Sequence, residues 1–160
     1  MAGTGTALLL LLVANGAPIL AARVFRHHLD GPLDGGLVLA DGRPLLGPHK
    51  TVRGAVAAVG ACAALAATLG LSPTLGATVG ASSMAGDALS SFVKRRRGLG
   101  SGGRATGLDQ LPEAVLPLLV LRAAGAVGWG GAALALLGFL ILGAGLSRVL
   151  FFLGVRQRPY

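Results

Sequence analysis

Residues 81–110, ASSMAGDALSSFVKRRRGLGSGGRATGLDQ, decide how this chain is read. A carboxylate, Asp87, sits inside an otherwise apolar segment. Four consecutive cations, residues 94–97, follow it, then a glycine-rich loop, then a second carboxylate, Asp109. In a helix, Ser83, Asp87, Ser90, Ser91 and Lys94 share one side, because residues three and four apart are neighbours on a helical surface. An ionised Asp facing lipid tails would cost at least about 2.5 to 3.5 kcal/mol, so such acids turn toward a bundle interior or a wet cavity. The remainder of the chain reads as a scaffold that holds the two acids together at a membrane surface.

Working outward, the composition sets the class. Of 160 residues, 53% are hydrophobic and 12% charged, and the mean hydropathy is +0.73. That is an integral membrane protein rather than a soluble domain. A net charge of +8 raises nucleic acid as a partner. Aromatic content of 4% argues against it, because single-strand binders stack bases on aromatic side chains. The lone Cys62, among alanines, reads as a small packing residue.

Five apolar spans are expected within one integral membrane domain covering residues 1–160: 4–22, 52–71, 74–93, 112–127 and 130–147. Asn15 and Pro18 interrupt the first, where Asn15 either bonds to a neighbouring helix or lines the cavity of Asp87. The two long connections are 23–51 and 94–111. The first is rich in Gly, Pro and Asp and carries His27, His28 and His49, which read as solvated loop residues because no third ligand falls at a zinc-type spacing. At its end, Lys50, Thr51, Arg53 and Gly54 join loop to helix, where cations and helix N–H groups suit phosphate oxygens.

Charge orients the spans. The segments 23–53, 94–104 and 148–160 hold thirteen of the fourteen Lys and Arg residues. With five spans, all three fall on one face, which the positive-inside rule makes cytoplasmic, with the N-terminus outside and the C-terminus cytoplasmic. Asp87, seven residues before Lys94, then lies about 10 Å below that surface. The expected fold is an all-α membrane protein of the cell membrane with about five transmembrane helices and glycine-rich cytoplasmic loops.

Two acids, a run of cations and a shallow wet pocket suit a polyanion that arrives from the cytosol with a metal, its partner coming through the lipid. In that reading Asp87 and Asp109 hold Mg2+, whose hard-oxygen preference they match, and Lys94, Arg95 or Arg53 neutralises phosphates. In the other reading, Asp87 is a structural acid paired to one of these cations, and residues 94–97 anchor the topology beside anionic lipids.

The chain resembles the CDP-archaeol synthases, membrane cytidylyltransferases related to the CDP-diacylglycerol synthases. The resemblance rests on Ala14, Asn15 and Pro18; on DGRPLLGPHKTVRG at 41–54; on GDALSSFVKRR at 86–96; and on LDQL at 108–111, in that order. It implies that a lipid phosphate, 2,3-bis-O-geranylgeranylglycerol 1-phosphate or a similar one, attacks the α-phosphate of CTP, giving a CDP-lipid such as CDP-archaeol and pyrophosphate. It also implies Mg2+ on Asp87 and Asp109 and catalytic cations at Lys94 and Arg95. Lys50, Thr51, Arg53, Gly54, Asn15, Ser91 and Gln110 would then surround the substrates. Pro112 stands where family members often carry another acid, and Glu113 follows it. Phosphatidic acid is the alternative lipid, and a small transporter or scaffold the alternative class. The small-residue helices also suit packing against a second protomer in a homodimer.

Overall fold

The structure is a computed structural model that describes residues 3–26, 28–99 and 110–152, side chains of 144–152 excepted. Five helices follow in order: α1 (Thr4–Val24), α2 (Val52–Thr68), α3 (Pro73–Arg96), α4 (Leu111–Ala123) and α5 (Trp129–Phe152). Among the described residues there is no strand, only two isolated bridges, Pro32 with Thr51 and Val38 with Pro44. By length and hydropathy, α1 is the one described helix able by itself to cross a membrane. Helix α2 and the described side of α5, Trp129–Gly143, are shorter apolar helices.

Local chemistry sets the helix ends. The Thr51 hydroxyl accepts the Gly54 N–H at 3.2 Å and opens α2; the Ser72 hydroxyl accepts the Thr74 N–H at 3.2 Å and opens α3, with Pro73 first in the helix. Helix α3 closes on Gly98, at φ +74°, with Gly98 N–H bonded to the Arg95 carbonyl and Leu99 N–H to that of Lys94. This paired closure needs a left-handed residue just past the helix, a place glycine fills without strain. Lys94, Arg95 and Arg96 therefore form the last turn of α3 instead of the loop expected from 94 onward. The same closure on Gly125 ends α4 at Ala123, short of the expected 127.

Close contacts reveal an up-and-down bundle. Gly76 lies on the backbone of Cys62 and Gly80 on that of Ala58, so α2 and α3 run antiparallel with almost nothing between them. The four-residue glycine spacing faces Ala58, Cys62 and Ala66, the small-against-small packing that lets helices approach in lipid. Gly86 in turn lies against the Pro112 carbonyl at the start of α4. Gly131 and Gly138 meet Thr4 and Leu8, which sets α5 parallel to α1. Helix α1 touches all four others. Inside, Ala7, Ala14, Ala114 and Ala135 are buried, whereas Leu20, Leu89, Leu137 and Ile141 face outward, an arrangement that suits an apolar solvent.

This topology brings the C-terminal ends of α1 and α3 together with the N-terminal ends of α2 and α4. The connection from α1 to α2 folds over that end and is clasped to α3. Arg43 donates to the last carbonyls of α3, Arg96 at 2.6 Å and Arg95 at 3.3 Å, and its guanidinium lies over Gly98. Arg96 answers by donating to the Pro44 carbonyl at 2.7 Å, to the Arg43 carbonyl at 3.2 Å and to the Asp41 carboxylate. A cation at a helix C-terminus also meets the negative end of the helix dipole. Within the loop, the Asp34 carboxylate accepts N–H groups from Leu46 at 2.8 Å and Gly36 at 3.0 Å. Desolvation works to raise its pKa, but these N–H donors and that of Gly47 together hold it below the usual 3.8.

Two expectations follow. At Gly80 an added Cβ would lie 2.6 Å from the Ala58 carbonyl oxygen, so Gly80→Ala should destabilise the bundle by about 1 to 3 kcal/mol. Gly60, exposed on α2 with open space around it, should instead gain up to about 1 kcal/mol on changing to Ala; thermal unfolding in detergent compares the two. Because the Asp34 pKa is lowered on folding, its contribution is complete above about pH 3.8 and lost as pH falls through the folded value. Pepsin should therefore cut the 28–51 loop faster below that pH, and in Asp34→Asn the loop should be cut readily even above it.

Candidate active site

Asp87 lies on α3 where three elements converge. Gly86 beside it abuts the first turn of α4, and the loop ending at Lys50 closes over it. The Lys50 ammonium donates to both carboxylate oxygens, 2.6 Å from each. Both side chains are about a quarter exposed, at 23% and 25%, so the pair is set into the bundle yet reachable from solvent. The Lys50 backbone is itself fixed: its carbonyl accepts the Leu33 N–H at 2.6 Å, and the next residue, Thr51, caps α2. Of the two readings open for Asp87, the charge pairing is present, with a loop lysine 37 residues away as a partner.

The polar stripe expected on α3 faces inward. Ser83, Ser90 and Ser91 are buried, and the Ser90 hydroxyl returns to the Gly86 carbonyl at 3.0 Å. Asn15 on α1 donates to the Leu11 carbonyl at 3.0 Å and meets the Ser83 hydroxyl at 3.4 Å, one turn before Asp87. It thus ties α1 to the floor of the site. Gly54 permits the close approach of α2 to Pro18 within α1, with 3.4 Å between its would-be Cβ and the proline.

The cations divide into separate tasks. Arg53 Nη1 donates to the Arg26 carbonyl, which joins the end of α1 to the start of α2. Arg95, expected to neutralise phosphates, is 7% exposed, and its Nε is buried with no hydrogen-bond partner among the described residues. The turn that buries it also carries Lys94, which has a partner of its own. Gln110 stands before α4, with Nε2 3.9 Å from the position a Cβ on Gly143 would take, so it reaches toward α5. Arg43, Asp41 and Arg96 join the functional set as the clasp that holds the Lys50 loop on α3. Asp-Gly-Arg at 41–43 marks a turn in the sequence, but no local pattern announces a partner more than fifty residues away. The Asp41 carboxyl is held below its ordinary range: desolvation opposes this, while the Arg43 N–H and Arg96 outweigh it.

The second acid, Asp109, lies outside the described residues, as do Arg104 and His27. Among the described residues no three His, Cys, Asp or Glu side chains come together. The donor chemistry nonetheless fits Mg2+, which takes one or two carboxylates and fills its remaining positions with water and phosphate oxygen. Asp87 supplies one such carboxylate, partly exposed. The α4 turn that follows Gln110 rests on Gly86 directly beside it.

Residues 7–160 match the CarS-like, CDP-archaeol synthase family. A CDP-archaeol synthase of Hyperthermus butylicus is 42% identical over 124 residues, 72% of this chain and 70% of that protein. Those of Aeropyrum pernix and Methanopyrus kandleri are 39% and 40% identical, and the matched parts span 58% and 66% of their lengths. A solved intramembrane enzyme of archaeal membrane lipid biosynthesis superposes with a TM-score of 0.74 at 33% identity, covering 88% of this chain and 90% of that one. With a polar, cation-rich end closed over one inward carboxylate and a family match running almost the length of the sequence, the chain belongs to the CDP-archaeol synthase family.

Proposed function

We propose that this protein is a membrane cytidylyltransferase that joins a phospho-lipid to the CMP moiety of CTP at the Asp87 end of the bundle. The preferred lipid in this reading is 2,3-bis-O-geranylgeranylglycerol 1-phosphate, and the products are a CDP-lipid and pyrophosphate. The observation that carries it is the Lys50–Asp87 pair, an acid and an ammonium held at 2.6 Å beneath a loop and helix end rich in Arg. The names of the relatives support the substrate class. The charge distribution supports a five-span, multi-pass arrangement in the cell membrane with this end cytoplasmic. The reading includes a homodimer.

The chemistry follows from charge. An oxygen of the lipid phosphate forms a bond to the α-phosphorus of CTP, the bond from that phosphorus to the α–β bridging oxygen breaks, and pyrophosphate leaves with the electron pair. A phosphomonoester is already nucleophilic near neutral pH, so no dedicated general base is required. The barrier is repulsion between two anions and their alignment, which positioning and positive potential relieve. Mg2+ held by Asp87 and Asp109 would neutralise phosphate oxygens and stabilise the leaving pyrophosphate. On this chain, Lys50 and the Lys94–Arg95 turn of α3 provide positive charge from two sides. Asn15 and Ser83 keep α1 against the floor of the site, and the outward leucines suit contact with lipid chains.

Purified protein in detergent, given labelled CTP, Mg2+ and either the geranylgeranyl ether phosphate or phosphatidic acid, should form a CDP-lipid and favour the ether lipid. Asp87→Asn and Asp109→Asn should each lower the rate at least about a hundredfold while the protein stays folded. No product from either lipid with folded protein would overturn the assignment, and preference for phosphatidic acid would replace the lipid. Arg43→Gln should lower kcat by about tenfold or more through loss of the loop clasp, with Arg43→Lys restoring part of it.

A further inference from the structure

We propose that Lys50 is a built-in placeholder for the metal: its ammonium neutralises Asp87 in the empty enzyme and is exchanged for the divalent cation when substrate loads. The inference rests on the reading of Asp87 as a metal ligand and goes beyond it. Three observations carry it. The ammonium lies 2.6 Å from both carboxylate oxygens, so it takes the oxygens a metal ion would bind, and the two cations exclude one another. The carboxylate sits in an apolar bundle between the buried Ser83 and Ser90, where an uncompensated charge is strongly unfavourable, so the free enzyme needs a cation there. Finally, the Lys50 backbone is pinned at both sides, by Leu33 N–H on its carbonyl and by its own N–H on Gly47, while the side chain ends in a partly exposed group.

That construction is an anchored arm with a free hand. Lysine suits the task because its ammonium is a compact charge on a flexible stem, whereas the fixed fork of arginine would grip both oxygens and resist exchange. Thr51, beside it, caps α2 and does not compete for the carboxylate. Once displaced, the ammonium remains at the mouth of the site, where triphosphate oxygens arrive with the metal. The net charge around Asp87 then stays balanced in both states. The apo site is protected from collapse without metal, and metal binding alone, without the anion to receive Lys50, is held weak.

The test uses the full chain in detergent without CTP and titrates Mn2+ alone, read by electron paramagnetic resonance. A charge within about 4 to 6 Å alters the proton affinity of a carboxylate by roughly 10- to 1000-fold, and a divalent cation should respond at least as strongly. Lys50→Met should therefore bind Mn2+ at least about tenfold more tightly than the unaltered protein. It should also melt at a lower temperature without metal and recover when Mn2+ is added. Lys50→Arg, which keeps the charge pair and guards against a Met variant that fails to fold, should bind Mn2+ several-fold more weakly. Asp87→Asn should lose the site in every background. Equal affinity in Lys50→Met, Lys50→Arg and unaltered protein, with Asp87→Asn abolishing binding, would overturn the exchange and leave the metal site standing. Mn2+ binding indifferent to Asp87→Asn would overturn both.

Discussion

A carboxylate inside an apolar bundle must have a cation against it, and the architecture around Asp87 meets that requirement. The cation comes from Lys50, on a loop rather than a neighbouring helix. For that loop to reach, the C-terminal end of α3 has to project to the surface where the α1–α2 connection folds back. Arg43 on the last carbonyls of α3 and Arg96 on the carbonyls of the loop keep the two surfaces in register. That reciprocal grip holds the rest of the loop against α3, beside the Lys50–Asp87 pair.

The same constraint explains where the glycines fall. Gly76 and Gly80 let α3 sink onto α2, and Gly86 lets it sink onto the start of α4. Helices that touch backbone to backbone cannot easily rotate or slide, since any side chain brought into the seam would overlap a carbonyl. Asp87, next to Gly86, is thereby aimed into the junction of α3, α4 and the loop. The close-packed interior of small residues with large aliphatics outside is what bilayer packing favours, because lipid offers no hydrophobic penalty for exposed leucine and rewards close approach.

Stability and function meet in the electrostatics of one end of the molecule. Most of the positive charge gathers there, and part of it is spent on structure: Arg43 and Arg96 on the clasp, Arg53 on the end of α1. Lys50 is held on Asp87, and Lys94, in the last turn of α3, has a partner of its own. A polyanion entering this end meets a field already organised by the fold, so little of its binding energy goes into rearranging charges.

Much of this was written in the sequence. Five helices follow from apolar runs broken by Ser-Pro and by glycine closures, and the cation-rich end is legible in the Lys and Arg residues grouped at 23–53 and 94–97. Asp87 stood out as an acid in an apolar segment. These signals are local: caps, left-handed glycines and periodicity act within a few residues, so they survive in a linear reading. Glycines still moved three boundaries, stopping α2 at Thr68, closing α3 after Arg96 and stopping α4 at Ala123. What only the tertiary structure decided is which groups meet. Lys50 and Asp87 are 37 residues apart, and Arg43 and Arg96 are 53 apart. Arg95 turned inward and is buried in the last turn of α3. Those outcomes depend on how each helix is rotated and how closely its neighbours approach, and that is set by the glycine seams between helices rather than by any neighbour in the chain.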